Sequence, residues 1–300
     1  MSLTILAIDI VDILCQCVSF GIGTAFYQRG KLLFRAVSIF GTIDFLDLQE
    51  VEGEDLKDTA RRLREHCDQV GIEIGCYTVQ ADFLWGSGGD LNAEIERIKK
   101  KVDIAEALGV HLMRHDGSTG WPEGKEGTFD EAVVRISTAS RELTAYAEQK
   151  GIRTMVENHG HYCQASERME KIWRAVNHPN FGLLADMGNF MVVDEDPAEA
   201  LTRLMPMTFM VHCKDFCLKP ADADPGEGWW LKSLGGTQMK GCIFGHGDLD
   251  VKKYLAIVHQ FGYDNGLTLE FEGLEDVEVG NRIGLANMKR YWEELENAKA

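Results

Sequence analysis

Short apolar runs alternate with longer amphipathic stretches along nearly the whole chain. Apolar runs of about four to eight residues bounded by Gly, Asn or Asp read as buried strands, and apolar residues three and four apart read as helices. The pattern predicts eight strand-then-helix units. The strands fall near 14–20, 45–48, 72–79, 110–114, 152–157, 181–186, 208–214 and 266–271. The helices that follow them fall near 30–40, 54–70, 91–108, 128–150, 166–177, 197–204, 251–261 and 276–295. Gly71, Gly109, Gly151 and Gly262 each stand just after a helical pattern, where a left-handed cap favours glycine. Three of them lead almost directly into a strand, as VGIEIGC, LGVHLM and KGIRTMV. Strands separated by helices must pair in parallel. The expectation is therefore an α/β chain, a (β/α)8 TIM barrel spanning 1–300 as one domain with no linker.

Four of the strand runs end on a polar residue. They are Glu157 in IRTMVENHG, Asp186 in FGLLADMGN, His212 in TFMVHCKDF and Glu270 in GLTLEFEG. A closed β/α barrel carries the C-terminal end of every strand to one mouth. Side chains alternate along a strand. Met155 therefore shares the inward face with Glu157, Leu184 with Asp186, Met210 with His212 and Lys214, and Thr268 with Glu270 and Glu272. Carboxylates pointing into an apolar barrel are costly unless compensated. One divalent metal ion would compensate three at once. Three oxygens and one nitrogen favour Mn²⁺ or Mg²⁺, with Co²⁺ and Zn²⁺ also compatible.

Other residues fall near the same mouth. His115 ends the fourth strand, His159 follows Glu157 by two, and Trp121 lies in the loop after strand four. They are candidates to touch substrate, as are Lys214 and Asn189. Indole faces stack on sugars and also pack as lids. About 36 residues separate strand seven from its helix, at 215–250, and they include Trp229 and Trp230. Connections of that length at a catalytic face are usually binding loops or lids, with a subunit contact as the competing role.

Charge narrows the partners. Forty-eight acidic against 31 basic residues give a net charge of −17, which repels phosphate backbones and anionic membranes. No nucleic acid and no membrane are expected. A small sugar or sugar phosphate is, and a homo-oligomer stays open. The stretch 3–20 is apolar but carries Asp9, Asp12 and Gln16, with no basic residue before it, unlike a secretory signal or a membrane span. The eight cysteines include no C-x-x-C pair, and reduced thiols in a cytoplasm are the expectation.

In this order and strand context, ENHG at 157–160, DMGN at 186–189, HCKD at 212–215 and GHGDLD at 245–250 resemble the xylose-isomerase-like barrel superfamily of sugar and sugar-phosphate isomerases and epimerases. The resemblance implies that Glu157, Asp186, His212 and Glu270 are metal ligands. It also implies that Glu157 and Glu270 double as the acid/base pair. Where the family commonly has a histidine three residues after the sixth-strand aspartate, this chain has Asn189. The implied chemistry is proton abstraction next to a carbonyl in a ketose or its phosphate. Two alternatives stand beside it: dehydration of a cyclic polyol or keto acid on the same site, and a sugar-binding barrel without catalysis.

Overall fold

A computed structural model of the chain describes residues 36–38, 42–46, 48, 55–70 and 73–299. Its strands are β1 (Ala36–Ser38), β2 (Thr42–Leu46), β3 (Glu73–Val79), β4 (Leu112–His115), β5 (Arg153–Glu157), β6 (Phe181–Asp186), β7 (Thr208–Cys213), β8 (Phe216–Lys219), β9 (Leu231–Lys232), β10 (Gln238–Gly241) and β11 (Leu267–Glu270). Its helices are α1 (Leu56–Val70), α2 (Leu91–Leu108), α3 (Phe129–Glu148), α4 (Ser166–Val176), α5 (Pro197–Leu204), α6 (Val251–Gln260) and α7 (Val277–Lys299). Eight strands close into a barrel in the order β1-β11-β7-β6-β5-β4-β3-β2. All neighbours from β2 through β7 to β11 pair in parallel.

Local chemistry explains the element ends. Thr128 and Glu131 form a reciprocal capping box that starts α3. Asp90, Asp196 and Asp250 accept backbone N–H bonds at the starts of α2, α5 and α6. Gly109 and Gly151 adopt φ of 69° and 71°, letting the chain reverse from helix into β4 and β5 without a Cβ clash.

The first unit departs from expectation. The strand predicted at 14–20 lies outside the described residues. Within the helix predicted at 30–40, residues 36–38 form a strand instead. β1 runs antiparallel to both neighbours, with Val37 opposite Leu269 on β11 and Ile43 on β2. Only residues 39–41 join it to β2, too few for a crossover helix, so the pair forms a hairpin. Its backbone groups complete the ladder between β11 and β2, which would otherwise be two open edges.

The connection expected as a loop at 215–250 contains an antiparallel sheet in the order β8-β10-β9. Asp215 fastens it to the end of β7. Its carboxylate accepts the backbone N–H of Phe216 at 2.8 Å and those of Gly245 and Gly247 at 2.9 Å each.

Inside the barrel, Cys76, Met155, Leu184 and Met210 form an apolar floor. A separate and much larger cluster fills the layer between strands and helices. Among the described residues, no helix is long and apolar enough to cross a membrane.

Candidate metal centre and its surroundings

One step above the apolar floor, the inward face turns ionic. Glu157, Asp186 and Glu270 end β5, β6 and β11, and His212 stands one residue before the end of β7. All four are buried, and each offers one ligand atom such that the set lies within 4.8 Å of one another. Asp186 and His212 are register partners across β6 and β7, which fixes their spacing through the ladder. Asn158 holds the same level. Its amide donates to the Asp186 carbonyl at 2.9 Å and accepts the Asp186 N–H at 2.7 Å. The loop N–H groups of Gly188 and Asn189 bind Asp186 Oδ1 at 2.8 and 2.9 Å, turning Oδ2 toward the centre.

Two buried cations share this space. Lys214 Nζ lies 3.0 Å from Glu270 Oε2, 3.4 Å from Asp186 Oδ2 and 3.5 Å from Glu272 Oε2. It also donates to Asn189 Oδ1 at 3.2 Å. The adjacent Asp215 carboxylate is instead committed to the backbone N–H groups of Gly245, Gly247 and Leu249. Arg114 on β4 bridges Glu157 Oε2 at 2.6 Å and Asp116 Oδ1 at 2.8 Å. Asn189 closes the ring, donating to Glu157 Oε1 at 3.3 Å.

The electrostatics follow from burial and these neighbours. Burial pushes the Asp186 carboxyl up to about 8, reinforced by Glu270 and Glu157 and opposed by Lys214. Burial works on Glu270 in the same direction, yet Lys214 and His212 together hold it well below the usual carboxylate range. Burial disfavours the Lys214 ammonium, but Asp186, Glu270 and Glu272 outweigh it and keep the amine charged. A divalent ion fits this donor set. Asp186 Oδ2 is fully buried without a hydrogen-bond donor, three carboxylates surround it, and the imidazole supplies nitrogen.

Other expected residues divide. His159 joins the group, its Nδ1 being 3.4 Å from Asp116 Oδ1. That contact raises its basicity against the opposing effect of burial. Asn189 joins too, as a bridge between Glu157 and Lys214. His115 does not. It is fully buried between Phe83 and Phe181, with ring centroids 5.4 and 6.3 Å away. Burial drops its imidazole to about 4. Strand alternation is the reason. His115 is in register with Val79 and Val156 of the outer layer, whereas Arg114 is in register with Met155 of the barrel floor. Trp121 packs in its own loop, its indole N–H donating to the Thr128 carbonyl at 3.4 Å. Arg114 and Asp116 went unnoticed in the sequence. The inward parity of Met113–Arg114–His115, read from Met155 across the ladder, would have found Arg114.

Comparison with known proteins agrees with this architecture. A family model described as xylose isomerase-like TIM barrel matches residues 34–291. Among curated proteins, 3-dehydroshikimate dehydratase of Pseudomonas putida is 22% identical over 212 residues, covering 70% of this chain and 31% of that protein. Inosose dehydratase of Clostridium botulinum is 23% identical over 188 residues, covering 62% of this chain and 61% of that one. The chain thus spans less than two thirds of the length of either. Among solved structures, a xylose isomerase domain protein from Planctomyces limnophilus superposes with a TM-score of 0.67 at 18% identity, covering 86% of this chain and 90% of that one. A structure titled IOLI protein with a binding zinc atom gives 0.62 at 17%, covering 85% and 89%. L-ribulose 3-epimerase gives 0.62 at 12%, covering 86% of both chains. At such identities the structural likeness shows the fold alone.

Proposed function

The chain belongs to the xylose isomerase-like TIM barrel family, and from that premise we propose that it is a metal-dependent isomerase or epimerase acting next to the carbonyl of a small polyhydroxylated substrate. The observation that carries the reading is the convergence of Glu157, Asp186, His212 and Glu270 within 4.8 Å at one buried mouth. These four residues would hold one divalent ion, with Mn²⁺ and Mg²⁺ best suited and Co²⁺ and Zn²⁺ compatible. When bound, the ion supplies Lewis-acid stabilisation for the oxygen that gains charge as the neighbouring carbon loses its proton.

Glu157 and Glu270 are the proton carriers in this reading. They stand on β5 and β11, separated in the barrel by β6 and β7. Their carboxylates can therefore address one carbon from different faces, as inversion requires: one removes the proton and the other returns it. Asp186 and His212 take no part in that exchange. Arg114 fixes the Glu157 carboxylate, and the Lys214 ammonium and Asn189 amide meet substrate oxygens in this reading. His159 lines the approach, with Trp121 further out in the β4 loop. The 215–250 connection, fastened by Asp215, covers the mouth as a lid.

A second reading is favoured by the two dehydratases among the relatives. The first proton removal would be the same, and loss of a β-hydroxyl as water would follow. Product analysis separates the two. Protein reconstituted with Mn²⁺ is incubated with a panel of ketoses and inosose-type ketones in D₂O. An epimer or isomer carrying solvent deuterium supports the first reading, and an unsaturated product supports the second. If no compound exchanges deuterium or loses water while the metal is bound, both fail.

A further inference from the structure

The Lys214 ammonium competes for the oxygens that a metal ion needs. It lies 3.0 Å from Glu270 Oε2 and 3.4 Å from Asp186 Oδ2, and both carboxylates belong to the converging ligand set. At Asp186 the competition is for a single atom. Oδ1 is filled by the N–H groups of Gly188 and Asn189, which leaves Oδ2 to take a cation. An ammonium and a divalent ion held against the same buried oxygens repel each other. The ammonium is also saturated. It has three donors, and four acceptor oxygens surround it within 3.5 Å: those of Glu270, Asp186, Glu272 and Asn189. No donor is left for a substrate oxygen while all four are in place.

The packing of the side chain shows which part can move. Lys214 Cβ and Cγ lie against Gly188, where an added Cβ would come within 3.1 Å of each. The base of the chain is therefore fixed, and movement falls to its outer torsions. Glu272 follows Glu270 by two residues, and its side chain is 28% exposed against 5% for Glu270. It therefore lies toward the opening of the mouth. A turn of the ammonium from Glu270 toward Glu272, with Asn189 Oδ1 still in reach, keeps the buried charge paired throughout.

Resting on the reading of this mouth as a metal site, we propose that Lys214 is a displaceable internal cation. It neutralises Asp186 and Glu270 until a divalent ion takes their oxygens, and the ion's entry moves Nζ outward onto Glu272 and Asn189. There it has a donor free for a substrate oxygen, so ion binding comes before the substrate contact of Lys214.

The test is calorimetric titration of Mn²⁺ into chelator-stripped protein at one fixed pH, with denaturant unfolding of the same stripped samples. Lys214→Met removes the charge and keeps the length of the stem. It should bind Mn²⁺ about tenfold or more tightly than the wild type. Its stripped form should unfold at lower denaturant concentration, because two buried acids have lost their cation. A lysine that only braces the fold would leave Mn²⁺ affinity unchanged, and one that orders the ligands would weaken it on removal; either result overturns the proposal. Lys214→Gln serves the same purpose should the methionine variant not fold. Glu272→Gln removes the outer partner without touching a ligand. It should weaken Mn²⁺ binding about threefold or more in the wild type and by clearly less beside Lys214→Met. Equal effects in the two backgrounds would show that the ammonium does not move onto Glu272, and would also overturn the proposal. If neither the wild type nor the Lys214 variants bind Mn²⁺, the metal reading itself falls. Unchanged or weaker affinity in variants of a wild type that does bind leaves that reading standing and sinks only this one.

Discussion

Met155 and Glu157 stand two residues apart on β5, Leu184 and Asp186 on β6, and Met210 and His212 on β7. The lower member of each pair belongs to the apolar floor of the barrel, and the upper member belongs to the ionic centre. Strand alternation gives both levels the same inward direction, so one 6–7 Å step, about two strand residues, separates opposite chemistries. The floor excludes water from below, which strengthens every charge interaction above it. It also makes the excess of carboxylates over the two buried cations Arg114 and Lys214 costly, which a divalent ion would relieve. The contrast teaches that the site depends on its floor as well as its ligands.

The sharpest break in the contrast is to remove the ionic level. The double variant Glu157→Gln, Asp186→Asn should retain no divalent ion by elemental analysis and lose turnover by more than the ~10²–10⁴-fold usual for acid/base removal, because it removes two metal ligands together with one proton carrier. Retained metal in this variant would mean that the ligand set is wrong. Arg114→Leu should come next. It strips the partner from Glu157 and Asp116 in a buried setting, so chemical denaturation should show a loss of about 3–5 kcal/mol, with activity falling too.

Breaking the floor while keeping the ligands should separate stability from chemistry. Leu184→Ala should cost about 2–5 kcal/mol in unfolding free energy, while the metal content of the folded protein stays near one ion per chain. Loss of metal at full stability would show that the floor tunes the ligands directly.

The pH response sharpens the comparison further. Burial, reinforced by Glu270 and Glu157, pushes the folded Asp186 carboxyl up from its ordinary 3.8 to about 8. The metal-free folded chain therefore binds this proton more tightly than the unfolded chain. The stabilisation is complete below about pH 4 and is lost as pH rises through 8. Glu270 is shifted the other way, and its contribution disappears only as pH falls below the ordinary carboxylate range. Since metal must displace the Asp186 proton, metal affinity should rise by up to about tenfold per pH unit between 5 and 8 and level off above. Titrations of Mn²⁺ binding at several pH values, repeated with Asp186→Asn, check this; the variant should lose the slope. The smallest effect belongs to Trp229, which is 61% exposed on the 215–250 connection. Trp229→Ala should change KM or kcat only a few-fold, with metal content unaltered, if that connection closes as a lid.

How much of this was legible in the sequence depended on whether a local rule decided it. β6 and α2 begin and end where periodicity placed them, at Phe181–Asp186 and Leu91–Leu108, because apolar runs, caps and a glycine stop agree there. The inward parity of Met155, Leu184 and Met210 was equally readable. The strand at Ala36–Ser38 was not, since its partners are Leu269 and Ile43, far apart in sequence, and three residues carry no period. His115 attracted notice by its side-chain type, but register assigns the inward position to its neighbour Arg114. The commitment of Lys214 to three carboxylates and of Asp215 to the 245–249 backbone are contacts between distant elements, which no spacing reveals. Strand-end position and the family resemblance both pointed to Glu157, Asp186, His212 and Glu270, which the fold brings within 4.8 Å of one another.

In the proposed site, the ends of β5, β6, β7 and β11 hold one divalent ion above the apolar floor. The most direct measurement is an anomalous difference map from crystals grown with Mn²⁺. It should show a single strong peak about 2.0–2.3 Å from one atom each of Glu157, Asp186, His212 and Glu270. A centre without that peak, or a peak bound by a different set of residues, would rule out this metal site.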